Sequence, residues 1–579
     1  MHGWAGKILN VDLTSGRSWR EEIIPELLHE YLGGRGLGVR LLRDRFRLDP
    51  FDPDIPLIFA TGPLCGTAAP TSARLSVVSR SPLTGTVFSS SAGGLFALRL
   101  KGAGLDALHI TGESRTPVVL NINGDNAALI PADALWGKEV TETVTSLAGR
   151  GSVAAIGPAG ENGVLFAGIM MGEGNSAARG GLGALMGRKK LKAVVVDGNA
   201  PTAIADEGRL DLARQDVMRL FRASPVIFGE LGIAEYGTAA LVDLIQQRRM
   251  TPTRNFRETF FSGSSGYSGG AIRKGYPAGN DGCFGCPIQC RKRSSTGERL
   301  PAFDTLSHFG ALNGIESLPA IIMANRRCYE LGLDTVSAAS TISAWGEWRG
   351  RFADGEEMPG LLEDIAMRRG DGGLLGQGSA RAMEALGAAP LSMCVKSLEL
   401  PAYDPRGAYG LALAYCTSNR GGCHMAAFPI SHEILRKPVA TDRFSFSGKA
   451  RINKMAEDTY AAVDSMTACR FAFLGATMEE YAELLTATTG IEYTPQSLVR
   501  IGERIFLVER FYNCANGFSA AHDRLPERFY CEPGTGGEGI DIPPIDRLRF
   551  NEELQKYYRI RGLTADGTFA DDRFLKRLP

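Results

Sequence analysis

Near residue 205 the sequence changes its period, and no other feature constrains the fold as much. Up to about residue 200, short β-rich runs such as 55–60, 74–79, 107–110, 118–122 and 193–196 are divided by Gly, Pro and Ser turns. Helical spacing interrupts them only around 25–32 and 92–100. From Asp206 onward, residues 211–221, 239–249, 318–331, 478–486 and 495–512 place apolar side chains at helical spacing. A polar, glycine-bearing stretch over 257–281 reads as a loop, and a strand-like run over 393–400 marks a weaker break near residue 395. The expectation is an α+β chain with a β-rich unit over residues 1–205, then two mainly helical units over 206–395 and 396–579.

Lys plus Arg and Asp plus Glu are equal at 64 each, a balance that argues against a nucleic-acid footprint. No apolar run approaches the ~20 residues of a membrane span, and Met1-His2-Gly3-Trp4 does not open a signal peptide. The chain reads as soluble and cytoplasmic. In that setting 11 cysteines point to metal or redox chemistry rather than a disulfide scaffold. The 71 glycines imply tight turns, or backbone packed closely against something.

Cys283-Phe284-Gly285-Cys286-Pro287-Ile288-Gln289-Cys290 is the strongest local signal. Three thiolates at C-x2-C-x3-C spacing can wrap one centre, and a [4Fe–4S] cluster takes a fourth from elsewhere. Zinc is the rival, but its structural sites usually pair two C-x2-C halves. Spacing alone leaves the fourth ligand open among Cys65, Cys328, Cys394, Cys416, Cys423, Cys469, Cys514 and Cys531. The glycines of Arg179-Gly180-Gly181-Leu182-Gly183 precede a strand instead of following one, which is the wrong order for a dinucleotide fold, and no P-loop exists. They serve turns and close packing, or backbone amides that line a large polar ligand. His424, in the polar loop Ser418-Asn419-Arg420-Gly421-Gly422-Cys423-His424, is placed for proton work. His2, His29, His109, His308, His432 and His522 read as structural or surface residues. Arg188-Lys189-Lys190 reads as a solvated face where an acidic electron-transfer partner could dock.

Over residues 6 to about 530 the chain resembles the tungsten-containing aldehyde ferredoxin oxidoreductases. The resemblance lies in Gly6-Lys7-Ile8-Leu9-Asn10-Val11-Asp12-Leu13, Gly33-Gly34-Arg35-Gly36-Leu37-Gly38, Ser79-Arg80-Ser81-Pro82-Leu83-Thr84-Gly85 and Lys190-Leu191-Lys192-Ala193. It continues through Glu235-Tyr236-Gly237-Thr238, Pro252-Thr253-Arg254-Asn255-Phe256 and Leu400-Pro401-Ala402-Tyr403-Asp404-Pro405-Arg406-Gly407, in the family's order. It implies a β-rich cofactor base capped by two helical domains. It also implies a bis-pterin holding one tungsten (or molybdenum), a [4Fe–4S] cluster alongside, and Mg bridging the pterins.

Residue by residue, the resemblance implies a pterin contact from Arg74, matches the family's Mg-bridging Asn and the nearby Gly to Ser91 and Gly93, and implies further contacts from Asn175, Ser176, Ala178 and Arg179. The motif Asp-x-x-Gly-Leu-(Cys/Asp) matches Tyr329–Asp334, with Tyr329 in place of the leading Asp, giving Leu333 and Asp334, and again Asp464–Cys469, with Thr467 and Ala468 in place of Gly-Leu, giving Asp464 and Ala468. The second match selects Cys469 as fourth ligand beside Cys283, Cys286 and Cys290; Arg470 and Arg420 add cofactor contacts. Asp304 would be the general base, and His424 would bind the carbonyl oxygen or relay protons.

Departures from the family are specific. Asp304 stands where a Glu is usual, Ala426 where a basic residue follows the histidine, and Met323 where some members bind a subunit-bridging iron. The implied reaction is oxidation of a small aldehyde to a carboxylic acid, with electrons passing to ferredoxin or an Fe–S partner subunit, in a chain that could also form a homo-oligomer. The same cofactor acting on an aromatic-ring thioester, a non-catalytic Fe–S relay and a zinc scaffold are the competing readings.

Overall fold

Two six-stranded sheets fill the first part of the chain in the computed structural model, which describes residues 1–276 and 278–571. The first sheet comprises β1 (Lys7–Asp12), β2 (Arg17–Glu22), β3 (Leu57–Ala60), β4 (Arg74–Arg80), β5 (Val87–Gly93) and β6 (Ala107–Thr111), ordered β2-β1-β6-β3-β4-β5. Only β1 and β6 run parallel in it. The second comprises β7 (Val118–Asn123), β8 (Asn126–Pro131), β9 (Ser152–Ala155), β10 (Ile169–Met171), β11 (Asn175–Ala177) and β12 (Leu191–Asp197), ordered β11-β10-β9-β12-β7-β8. Central β3 is buried along its whole length, as its unbroken apolar run demands. Edge strand β2 carries Arg17, Arg20, Glu21 and Glu22, charges that discourage pairing with another chain. The outer strands of the two sheets, β5 and β11, pack against each other, and Gly94 at the end of β5 sits against the Asn175 side chain.

A helix inside the β-rich part, α1 (Gly34–Leu41), precedes a mainly helical remainder. There α2 (Glu207–Ala223) starts two residues after the period change, capped by the Asp206 carboxylate, which accepts from Arg209 N–H. It is followed by α3 (Phe303–Phe309), α4 (Leu318–Leu331), α5 (Thr335–Trp348), α6 (Tyr409–Thr417), α7 (Lys449–Met466) and α8 (Pro495–Ala515). Helix α6 is buried on every side, and its Tyr409-Gly-Leu-Ala-Leu-Ala-Tyr415 run is apolar all round to match. Helix α8 sends Val508, Phe511 and Tyr512 into the apolar core beneath the first sheet.

The end of α7 is seated on the β-rich half through bare backbone. A Cβ on Gly34 would stand 2.3 Å from Asp464 O, and one on Gly62 would stand 2.6 Å from Ser465 O. Only glycine allows that approach. Beside it the Arg35 guanidinium is buried, with Nε and Nη2 donating to Glu509 at 2.7 and 2.6 Å and Nη1 3.5 Å from Asp464. This bidentate pair fixes α8 and α7 to the glycine-rich turn of α1.

Three expectations are corrected. The helix expected over 92–100 begins only at Leu95, because Ala92 and Gly93 pair with Leu75 and Arg74 to finish β5. The expected loop over 257–281 holds a 3-10 turn (Ser262–Tyr267), a short helix (Gly269–Gly275) capped by Ser268, and a strand, β13 (Ala278–Asp281). The run over 393–400 folds as a two-stranded hairpin of Cys394–Val395 and Leu398–Glu399. Among the described residues no helix is long and apolar enough to cross a membrane.

Candidate functional site

Strand β13 pairs antiparallel with β14 (Arg291–Ser294), and the register that sets Asp281 opposite Arg291 makes Cys283–Cys290 the loop of a hairpin. Gly285, with φ +65° and open space around it, turns the chain between Cys283 and Cys286. Cys469 arrives from the other direction. Helix α7 ends at Thr467 in the left-handed region (φ 62°), which redirects the chain, and Cys469 N–H donates to Thr71 Oγ1 at 3.4 Å.

The four sulfurs act on one another. Burial, with the charges of Cys469 and Cys283, pushes Cys286 up to about 11. Burial, with Cys469, Cys283 and Cys286, pushes Cys290 up to about 12. Cys469 is raised by burial and by Cys283, and lowered by Arg74. Of the eight cysteines that spacing left open, Cys469 is the one gathered with the run. A Cβ on Gly93 would stand 2.3 Å from Cys283 Sγ, so the loop rests directly on the end of β5. Gly93→Ala is therefore expected to push the loop outward and lower bound iron per chain, read by elemental analysis of anaerobically purified protein. Unchanged iron would show that the loop has room to yield. Among the described residues no three His, Cys, Asp or Glu side chains converge tightly enough for a single ion.

Next to the sulfurs lies a cradle of buried cations. Arg74 Nη2 donates to Ser91 Oγ at 3.1 Å, the two being near-neighbours across β4 and β5. Arg291 Nη1 donates to Asn175 Oδ1 at 2.8 Å. Arg179 Nη2 donates to Glu399 O at 2.7 Å, and its Nε lies 3.7 Å from Asp334. Arg470 grips the Asp464 carboxylate through two nitrogens, and Arg420 reaches across to Ser89 O. Ser176 lies on β11, Ala178 opens the turn to Arg179, Leu333 forms a bridge to Ala167, and Ala468 is buried after α7. Asp334 caps α5, accepting from the N–H groups of Val336 and Ser337.

Several of these groups have no protein partner. Among the described residues, Asn175 Nδ2, Arg179 Nε and Nη1, Arg291 Nε and Nη2, Arg420 Nε and Arg470 Nη1 are buried without a hydrogen bond. Ser418 Oγ and Asn419 Oδ1 share that state and line, with Arg420, Arg470 and Asp464, a polar cavity of about 10 Å³. Buried donors left unmade cost about 1–3 kcal/mol each. A set of guanidinium N–H groups aimed at a common region is the donor chemistry of a large polyanionic ligand such as a phosphate-bearing pterin. The residues present fit that group.

Across from the cradle, Asp304 lies in the first turn of α3, and its Oδ1 accepts from Ala402 N–H at 3.3 Å. His424 Nε2 is 3.8 Å from Asp304 Oδ2. Burial pushes His424 down to about 4, helped by Arg179, Arg420 and Arg470 and opposed by Asp304, so the ring is neutral near pH 7. Its Nδ1 is buried without a protein partner.

Three residues join the site without having been singled out from the sequence. Tyr403 packs as a tilted ring with its centroid 5.3 Å from that of His424 and 5.0 Å from that of Phe303, with Phe428 closing the same corner at 5.8 Å from Tyr403. Cys423 is a buried thiol that the guanidinium groups of Arg420 and Arg179 pull down against burial, with Arg420 Nη2 at 2.9 Å. Arg291 was visible only as the basic residue after Cys290. Their signals in the sequence were adjacency alone.

Comparison with known proteins matches this architecture end to end. The family model for the aldehyde ferredoxin oxidoreductase N-terminal domain covers residues 8–198, and that for domains 2 and 3 covers 213–578. The tungsten-containing aldehyde ferredoxin oxidoreductase of Pyrococcus furiosus is 38% identical over 99% of this chain and 98% of its own length. That of Thermococcus kodakarensis is 39% identical over 98% and 97%. A WOR-like subunit of an aliphatic sulfonate oxidoreductase from P. furiosus is 27% identical over 98% of the chain. The solved BamBC active-site complex of benzoyl-coenzyme A reductase shares the fold, with TM-score 0.85 at 24% identity over 99% of this chain. The chain is an oxidoreductase by fold and ancestry. It belongs to the aldehyde ferredoxin oxidoreductase family.

Proposed function

We propose that the protein oxidises an aldehyde to its carboxylic acid and passes the electrons one at a time to ferredoxin or a related Fe–S partner. The observation that carries this reading is the Asp304–His424 pair, held 3.8 Å apart, together with guanidinium groups that keep buried nitrogens without a hydrogen bond. A tungsten (or molybdenum) bis-pterin supplies the two-electron acceptor, and a [4Fe–4S] cluster divides the pair into single electrons. In this reading Arg74, Arg179, Arg291, Arg420 and Arg470 hold the pterins and their phosphates. Cys283, Cys286, Cys290 and Cys469 hold the cluster.

The protein's own residues do the proton work. Water adds to the carbonyl carbon while the partly exposed Asp304 carboxylate accepts its proton. Neutral His424 offers its buried ring to the carbonyl oxygen, which gains electron density as the bond forms. The products are acid, two electrons and two protons. Phe303, Tyr403 and Phe428 make the aldehyde side of the pocket apolar and aromatic, which keeps competing water out and suits a ring-bearing substrate. Ser91 Oγ accepts from Arg74 and keeps a second lone pair, which would be the one to meet an Mg bridging the pterins. Met323, half-exposed on α4 with its sulfur beside Arg326, offers no carboxylate for a bridging iron. All 11 cysteines are free, which supports a reducing compartment such as the cytoplasm.

Anaerobic purification with elemental analysis and an aldehyde-dependent ferredoxin reduction assay tests the reading. Tungsten or molybdenum with about four irons per chain, and turnover with aldehyde, is expected. Iron alone would indicate an electron relay, and zinc a scaffold.

A further inference from the structure

His308 lies on the same face of α3 as Asp304, one turn on, and its ring is completely buried. Both ring nitrogens face backbone carbonyls: Nδ1 is 2.7 Å from Asp304 O, and Nε2 is 3.1 Å from Leu400 O. A carbonyl oxygen only accepts, and neutral imidazole has one N–H to give. In the neutral ring one nitrogen lone pair therefore points at a carbonyl oxygen, whereas the imidazolium donates to both.

The two carbonyls belong to the two segments that build the substrate side of the site. Asp304 O is in the first turn of α3. Leu400 O is two residues before Ala402, whose N–H donates to Asp304 Oδ1, and three before Tyr403, whose ring packs tilted against His424. The ring thus ties the Asp304 backbone to the strand that also holds the Asp304 carboxylate. We propose that His308 is a proton-dependent positioning residue for Asp304: as imidazolium it clamps α3 to the 400–403 segment, and as neutral imidazole it releases one of the two.

The charged groups acting on the ring are few. Asp304 on its own helix stabilises the imidazolium, and Arg179 from the β-rich half opposes it, as does burial, which holds His308 below its ordinary value. The 400–403 segment adds only the phenol of Tyr403, and α5 carries no charge before Glu347; the other helices packed on α3, Ala240–Gln247 and α4, carry Asp243 and Arg326, Arg327 and Glu330, none of them among the groups that shift the ring most. Burial outweighs the Asp304 charge and the two carbonyl contacts, so the switch lies below the ordinary histidine value. The clamp closes on the acid side of the switch and opens on the alkaline side. His424, neutral above about 4, contributes no limb there.

This inference rests on the proposed role of Asp304, and its test separates the two. The first arm is ring-nitrogen NMR of histidine-labelled full-length protein across pH 5–8. The His308 ring, assigned by its loss in His308→Gln, is expected to carry protons on both nitrogens at the acid end and to lose one as pH rises. A ring with a single proton throughout would overturn the clamp, whatever the enzyme does with aldehydes. The second arm is the pH profile of kcat and KM for the holoenzyme. Wild type is expected to lose kcat by up to about 10²-fold on the alkaline side at little change in KM, the scale of an ångström-level loss of position. His308→Gln, which donates but does not titrate, is expected to abolish that limb. The same limb at the same pH in His308→Gln would also overturn the proposal. If that variant does not fold, His308→Asn provides both the assignment and the profile.

Discussion

Asp304→Asn is expected to lower kcat for aldehyde oxidation about 10²–10⁴-fold, the contribution of a positioned general base, with tungsten and iron content unchanged. The carboxamide keeps the shape of Asp304 and still accepts from Ala402 N–H through its oxygen. It cannot take a proton. If metal content falls with activity, Asp304 is structural instead. The companion variant reports on substrate size. At 3.8 Å from His424 Nε2, Asp304 is about one ångström beyond a direct hydrogen bond. Glu would extend the carboxylate by about 1–1.5 Å. The wild-type gap leaves room for a bulkier aldehyde or for a relaying water, between an aromatic corner of Phe303, Tyr403 and Phe428. Wild type should therefore show higher kcat/KM for a benzaldehyde-sized than an acetaldehyde-sized substrate, and Asp304→Glu should move the preference towards the smaller. An unmoved preference, or a move the other way, refutes the gap as the size filter.

Cys469→Ala is expected to abolish the [4Fe–4S] signal in electron paramagnetic resonance of the reduced protein and to drop iron below four per chain. The argument is electrostatic as well as topological. Burial and mutual repulsion raise Cys286, Cys290 and Cys469 together, and Arg74, Arg470 and Arg291 are the cations set against them. Burial outweighs these guanidinium groups, so four thiolates need the positive charge that irons bring. Removing one leaves an iron without a protein ligand beside the end of β5. An unchanged spectrum would assign the fourth position to another cysteine and leave Cys469 as packing.

Much of the arrangement was legible because the chain's patterning is local. The β-rich first part and the helical remainder were read from spacing, since each element buries a face whose period the sequence repeats. Strand β5 was harder, because Phe88-Ser89-Ser90-Ser91-Ala92-Gly93 has neither alternation nor a strong apolar run; it is a strand because β4 lies beside it. The short helix over Gly269–Gly275 is too brief and glycine-rich to show a period, and depends on the Ser268 cap. In the site, the cysteine run and the glycine-bracketed His424 were visible directly. Cys469 was indistinguishable from seven other cysteines until the resemblance selected it, and Tyr403, Cys423 and Arg291 acquire their place only from packing.

What the sequence determined by itself, then, is what a few neighbouring residues decide. Three cysteines within one hairpin loop must converge, because so short a chain cannot separate them. Glycines at 34, 62 and 93 permit backbone and sulfur to approach where any Cβ would collide. The tertiary structure decided every pairing between distant segments: Asp304 with His424, Cys469 with the hairpin, His308 with Leu400 O, and the arginines with one another. The physical reason lies in burial. Whether a carboxylate, imidazole or guanidinium is ionised, partnered or left to meet a ligand depends on which groups the fold brings within a few ångströms and how much water it removes, and none of that is a property of a residue's neighbours in sequence.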